Sequence, residues 1–152
     1  MRKLVSTVVI GLISSSVPAA GDTGYGTYLS AQELAAKVVH GSGPSFEVPG
    51  TAGYKIFVTE RTSTGDAELH MEWNDIFIVQ HGHAKILVGG QIKGNHETTP
   101  SEWRGGEITG AKEYSLAEGD MLLIPAGLPH KAVVTDGPFT YLAIKTPKST
   151  AP

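Results

Sequence analysis

The sequence predicts an all-β domain, and three observations carry that prediction. From Phe46 onward the chain runs in short stretches rich in Val, Ile, Phe, Tyr and Thr, separated by clusters of Gly, Pro, Asn and Asp, the pattern of successive strands and turns. Its 19 glycines and 9 prolines supply the backbone conformations that many turns need. Its 152 residues fit one domain of ordinary size, large enough to bury a core without cross-links. No repeat with a period of about 20 to 50 residues is present, so a solenoid or propeller is not supported.

Strands are expected near 45–48, 54–61, 67–72, 75–80, 83–88, 113–116, 120–124, 130–135 and 139–146. Each is a β-branched or aromatic run bounded by turn residues. The insert from Gly89 to Lys112 holds two Gly-Gly pairs and little apolar periodicity. It reads as a loop with one short strand, and loops of that length in compact domains are often functional. Before the strands, Ser30-Ala31-Gln32-Glu33 is a capping box. With Leu34, Val38 and Val39 it predicts a short amphipathic helix ending at Gly41, covering one end of the β domain.

Arg2 and Lys3 precede an apolar stretch from Leu4 to about Val17, followed by Ala19-Ala20-Gly21. That is the layout of a secretory signal peptide cleaved near Ala19. The stretch is broken by Ser6, Thr7 and Ser14 to Ser16, and it is shorter than the roughly 20 apolar residues of a membrane-spanning helix. The expectation is a periplasmic or secreted protein with no membrane contact after cleavage. The resulting plan is a signal peptide at 1–19, a leader and short helix at 20–44, the β domain at 45–147 and a tail at 148–152.

A formal net charge of −3 and the lack of basic runs argue against nucleic acid as a partner. The chain has no cysteine, which removes disulfides, thiolate metal sites and cysteine nucleophiles together. A metal would have to be held by His, carboxylate or water.

Two segments carry the candidate chemistry. In Gly119-Asp120-Met121-Leu122-Leu123-Ile124-Pro125-Ala126-Gly127-Leu128-Pro129-His130, Gly119-Asp120 makes a turn, 121–124 a buried strand and Pro125 to Gly127 a corner. His130 then opens the next strand facing inward. In the segment Gly65 to Gly82, His70, Glu72 and Asp75 follow one another at short spacing. Side chains alternate along a strand, so register decides where they point. If a turn at Trp73-Asn74 interrupts the strand, His70, Glu72, Asp75 and His130 all face inward. If the strand is shifted, Leu69 and Met71 face inward and the interior is apolar.

The 119–130 segment closely resembles the second conserved motif of the cupin superfamily: Gly, five residues, Pro, one residue, Gly, two residues, His. The 65–82 segment matches the first motif in part. Asp75 stands where the family has Glu, Glu72 stands where it has a second His, and the gap between them is one residue short. The resemblance, over roughly Phe46 to Lys145, implies a double-stranded β-helix, a jelly-roll-like barrel, and a homodimer. It also implies a divalent metal (Fe, Mn, Zn or Ni) held by His70, Asp75 and His130, with Glu72 as fourth ligand or general base. Two imidazoles with a carboxylate suit such ions.

The leading expectation is therefore a metal-dependent enzyme acting on a small molecule, of dioxygenase, isomerase or lyase type. The alternative is a metal-free binding barrel lined by Leu69 and Met71. Trp103 and Arg104 in the insert are candidates for an aromatic wall and a cation for an anionic ligand, with Trp103 alternatively a plug for the loop. Tyr141, Ala143 and Lys145 share one face of the last strand; if that face is interior, Lys145 pairs with a site carboxylate, and otherwise it is an exposed strand end. His40, His81, His83 and His96 fall at a helix end, a hairpin and a polar loop, where solvent exposure is expected.

Overall fold

The computed structural model describes residues 28–37, 45–48 and 53–149. The signal peptide, the end of the predicted helix at Val38 to Gly41, and His40 lie outside the described residues. In chain order the elements are α1 (Ala31–Lys37), β1 (Ser45–Glu47), β2 (Lys55–Arg61), β3 (Glu68–His70), β4 (Trp73–His81), β5 (His83–Val88), β6 (Gln91–Lys93), β7 (His96–Thr99), β8 (Glu102–Arg104), β9 (Glu107–Thr109), β10 (Lys112–Ala117), β11 (Met121–Ile124), β12 (His130–Val133) and β13 (Phe139–Pro147). Among the described residues no helix is long and apolar enough to cross a membrane.

The helix begins as its capping box dictates. The Ser30 N–H donates to Glu33 Oε2 at 2.8 Å, and the Glu33 N–H donates to Ser30 Oγ at 3.2 Å, satisfying two otherwise free donors. Leu34 is half-buried and its described neighbours are exposed.

Eleven of the thirteen described strands form two antiparallel sheets, one of five in the order β1-β2-β13-β4-β11 and one of six in the order β10-β5-β12-β3-β8-β7, and β6 and β9 form a separate two-stranded ribbon. Alternation along each strand sends one set of side chains between the sheets. Phe77 and Val79 of β4, Phe139 and Tyr141 of β13, Ile86 of β5, Leu122 and Ile124 of β11 and Ala132 of β12 form the buried core. The strands are joined as an all-β double-layered barrel, as the sequence predicts.

The other face of the five-stranded sheet is also apolar. Val58, Leu142, Ile78 and Met121 lie in one cross-strand row, and Ile56, Ile144, Ile76 and Leu123 in the next. Exposure grows toward the edge strand: Val58 is 4% exposed, Met121 67% and Leu123 58%. The segment 121–124 is thus buried on one side only, which corrects the expectation of a wholly buried strand.

The insert is more ordered than its sequence suggests. Instead of a loop with one strand, 89–112 folds into a nested pair of ribbons: β6 pairs with β9, and inside them β7 pairs with β8. Strands of three or four residues carry too few side chains to show a period, and backbone geometry sets their course. Gly90 and Gly106 have φ of +76° and +77°, and a Cβ on either would run into the opposing backbone, so only glycine fits the two crossings. The strand β8 then adds to the edge of β3, with Glu68 opposite Arg104, Leu69 opposite Trp103 and His70 opposite Glu102.

Candidate metal centre

The centre sits where β3, β4, β12 and β13 come together at one end of the barrel. Glu68 and His70 are two apart on β3 and therefore share its inward face. The chain bends at Met71–Glu72, and β4 already begins at Trp73. The one-residue gap is thus absorbed just before the expected turn, and Asp75 becomes the first buried position of β4. The Gly127 N–H donates to the His70 carbonyl at 2.7 Å, and the Ala126 N–H to Asn74 Oδ1 at 3.0 Å. These two bonds tie the Pro125 to Gly127 corner to both sides of the bend, and His130 enters the interior directly after it.

His70, Asp75 and His130 are 2%, 1% and 4% exposed. Asp75 Oδ2 lies 3.5 Å from Nε2 of both His70 and His130, and Glu68 Oε2 lies 3.2 Å from Nε2 of His70. The two rings are 5.3 Å apart between centroids. Donor atoms of Glu68, His70 and His130 all fall within 4.8 Å of one another.

Each carboxylate gives its other oxygen to a cation. Asp75 Oδ1 is 2.7 Å from Lys145 Nζ, and Glu68 Oε1 takes Arg104 Nη1 at 2.7 Å and Arg61 Nη2 at 3.2 Å. Arg61 is steadied in turn by donating from Nε to the Tyr141 hydroxyl at 3.0 Å.

The remaining ring nitrogens are also occupied. His70 Nδ1 is paired with Glu102 Oε2, and His130 Nδ1 lies 3.3 Å from the Leu128 carbonyl. Both partners accept only, so a proton on Nδ1 suits each ring, and that tautomer leaves the Nε2 lone pair to the centre. Four acceptors, two Nε2 and two carboxylate oxygens, thus converge in a buried space. His70 Nε2, Asp75 Oδ1 and Lys145 Nζ make these contacts without hydrogen-bond geometry.

A buried polar atom in that state calls for a partner. Ligands about 2.0–2.2 Å from a shared divalent ion sit roughly 3.0–3.5 Å from one another, close to the His70–Glu68, His70–Asp75 and His130–Asp75 separations of 3.2, 3.5 and 3.5 Å. The donor set is compatible with a divalent metal.

The electrostatics agree. Burial alone would raise the Glu68 carboxyl, but His70 beside it and the Arg104, His130 and Arg61 charges hold it well below the usual carboxylate range. Burial works against a charged His70 and is outweighed by Glu68 and Asp75, which raise its pKa; at His130 burial prevails and lowers it. Burial also raises the Tyr141 phenol. In the cluster of groups in contact around the imidazoles, three cations (Arg61, Arg104, Lys145) balance three carboxylates (Glu68, Asp75, Glu102), so a bound divalent ion would leave that cluster positive.

The residues expected from sequence divide clearly. His70, Asp75 and His130 come together, and Lys145 takes the interior alternative. Arg104 and Tyr141 line the same cavity, whose apolar walls are Phe57, Phe77 and Ala143. Glu72 does not join them: the bend at Met71–Glu72 turns it out, and it stands exposed beside an outer recess at the cavity mouth. Glu68 is the carboxylate that meets the imidazoles from β3. Trp103 is half-buried on the opposite face of β8 and lines neither recess, nor do Leu69 and Met71. His81, His83 and His96 are exposed, as expected.

Sequence reasoning missed Glu68, Arg61 and Glu102. Period-two counting back from His70 finds Glu68. Nothing local marks Glu102, which reaches His70 across 32 positions by strand pairing.

No curated protein matches the chain in sequence. In fold it is similar to the protein BH2720 of Bacillus halodurans, with a TM-score of 0.57 at 16% identity over 87% of this chain and 89% of that one. It is also similar to a cupin-2 domain containing protein of Shewanella frigidimarina (TM-score 0.53, 13% identity, 76% and 91% covered). A third likeness is to a cupin protein of Bacteroides fragilis (TM-score 0.51, 12% identity, 75% and 85% covered). These likenesses bear on fold alone. Residues 46–151, the whole barrel with its centre, match the family described as the JmjC domain, and the chain belongs to that family, with the cupin fold.

Proposed function

We propose that the protein is an exported, metal-dependent enzyme acting on a small anionic molecule, and that it works as a homodimer. The observation that carries the catalytic reading is the convergence of two Nε2 lone pairs and two carboxylate oxygens in a buried space. Four acceptors facing one another repel unless a cation lies between them. A divalent ion there supplies Lewis acidity or a bound water of lowered pKa.

The chain's own residues do the rest. Glu68, His70, Asp75 and His130 would hold such an ion. Phe57 and Phe77 wall the cavity against water. Arg104 is 47% exposed and stands at both the cavity and its outer recess, where Lys145 also faces. Together they would bind and orient a carboxylate or similar anion. Export rests on the Arg2-Lys3 and Leu4 to Val17 pattern. The dimer rests on the two apolar rows across the outer face.

The test is elemental analysis of the untagged mature protein beside His70→Ala and His130→Ala. Near-stoichiometric Fe, Mn, Ni or Zn in the wild type, lost in both variants, is expected. A metal-free wild type would instead favour a non-catalytic binding barrel.

A further inference from the structure

The insert contributes to the centre through a carboxylate that does not face the proposed ion. The β8 strand is clamped onto β3 at both ends: the Met71 N–H donates to the Ser101 carbonyl at 3.0 Å, and the Gly105 N–H to the Ala67 carbonyl at 2.9 Å. Ser101 holds a φ of +68°, uncommon for a residue with a side chain and held in place by its surroundings. Its N–H is taken by Glu97 Oε1 at 3.3 Å. Between the clamps Glu102 lies directly opposite His70 and Arg104 directly opposite Glu68. Cross-strand neighbours in such register touch on the same face. Each inward residue of β3 therefore meets a partner of complementary character: an acceptor for the imidazole, a cation for the carboxylate.

We propose that Glu102 is a positioning residue that accepts the Nδ1 proton of His70, fixing the tautomer whose Nε2 lone pair points into the centre. Its consequence for metal rests on the proposed function; the tautomer itself does not. An imidazole with an alternative acceptor on its other side would otherwise be free to place its proton on Nε2, since Glu68 and Asp75 both wait there. Glu102 removes that freedom by offering a carboxylate to Nδ1. It also anchors the ring plane, because β8 is held independently of the cavity.

The experiment is a long-range proton–nitrogen NMR spectrum of ¹⁵N-labelled, metal-free protein at about pH 9, above the usual imidazole range. Wild-type His70 is expected with the proton on Nδ1 and a bare Nε2. In Glu102→Ala the proton should move substantially to Nε2, while Glu102→Gln, whose amide oxygen still accepts, keeps the wild-type form. His130, bonded to the Leu128 carbonyl, should be unchanged in all three and reports an intact barrel. In chelator competition Glu102→Ala should bind Zn about 10–100-fold more weakly than wild type, with Glu102→Gln close to wild type.

A wild-type His70 protonated on Nε2, a tautomer unmoved by Glu102→Ala, or Glu102→Gln behaving like Glu102→Ala would overturn the proposal. A wild type that shows the expected tautomers but binds no metal would overturn the metal reading and leave Glu102 in its role.

Discussion

Asp75 divides its two oxygens between opposite tasks, one held by Lys145 and the other turned toward both imidazoles. Lysine is thus the counter-charge that lets a buried carboxylate exist before any ion arrives. Removing one member of a buried pair strands the other, typically at a cost of about 3–5 kcal/mol. Lys145→Met should therefore lower the melting temperature of the metal-free protein markedly, and added Zn should restore much of the loss. Thermal denaturation with and without the ion reads both effects. Equal losses in the two conditions would place the importance of Lys145 elsewhere.

Glu68 makes a second case. Its carboxyl titrates below the ordinary value of 4.5 in the folded chain, so the unfolded chain binds the proton first as pH falls. The stabilisation is complete above about pH 5 and is lost progressively as pH drops through 4.5 and below. Urea unfolding of the metal-free protein from neutral to acid pH should show that decline, and Glu68→Gln should flatten it. These residues were unequally visible in the sequence. Asp75 and His130 stand at positions a motif defines, whereas Glu68 needed the alternation of β3 to be known and Glu72 was misplaced by a bend that spacing alone does not reveal.

The insert shows how a short element can be decisive without being legible. Its four strands are too brief for periodicity, and its order comes from glycine-permitted crossings and pairing with β3, both properties of backbone geometry and of distant partners. The glycines were visible; the pairing was not. Gly106→Ala would place a Cβ against the Lys93 carbonyl at a positive φ, which should destabilise the protein by about 1–3 kcal/mol in chemical denaturation. Because β8 carries Glu102 and Arg104, the same variant should also weaken Zn binding, an effect that Gly137→Ala, at a distant turn with open space around it, should not share. The nine strands outside the insert were legible because each falls in a run rich in β-branched and aromatic residues bounded by turn residues.

Across the molecule the inner and outer faces of the five-stranded sheet are both apolar, and a single hydrophobic sequence period cannot tell which will be covered. Met121 and Leu123, at the exposed edge, belong to the proposed contact between two copies. Leu123→Glu should convert a dimer to a monomer in light scattering at micromolar concentration while leaving metal content unchanged, since Leu123 faces away from the centre. A wild type that is already monomeric would remove the dimer from the proposal.

The sheet order has one more implication, for the time course of folding. The last strand in sequence, β13, is the middle strand of the five, seated between β2 and β4. Until it is in place those two strands share no neighbour, Asp75 has no Lys145, and the apolar rows on either face are interrupted. A nascent chain of which only the first hundred residues have emerged holds β1, β2 and β4 of this sheet without the strand that joins them, and barrel closure waits on the arrival of 139–147. The strands that close the sheet are therefore tied to one late event, and pulse-labelling of amides during refolding should find β2, β4 and β13 becoming protected together.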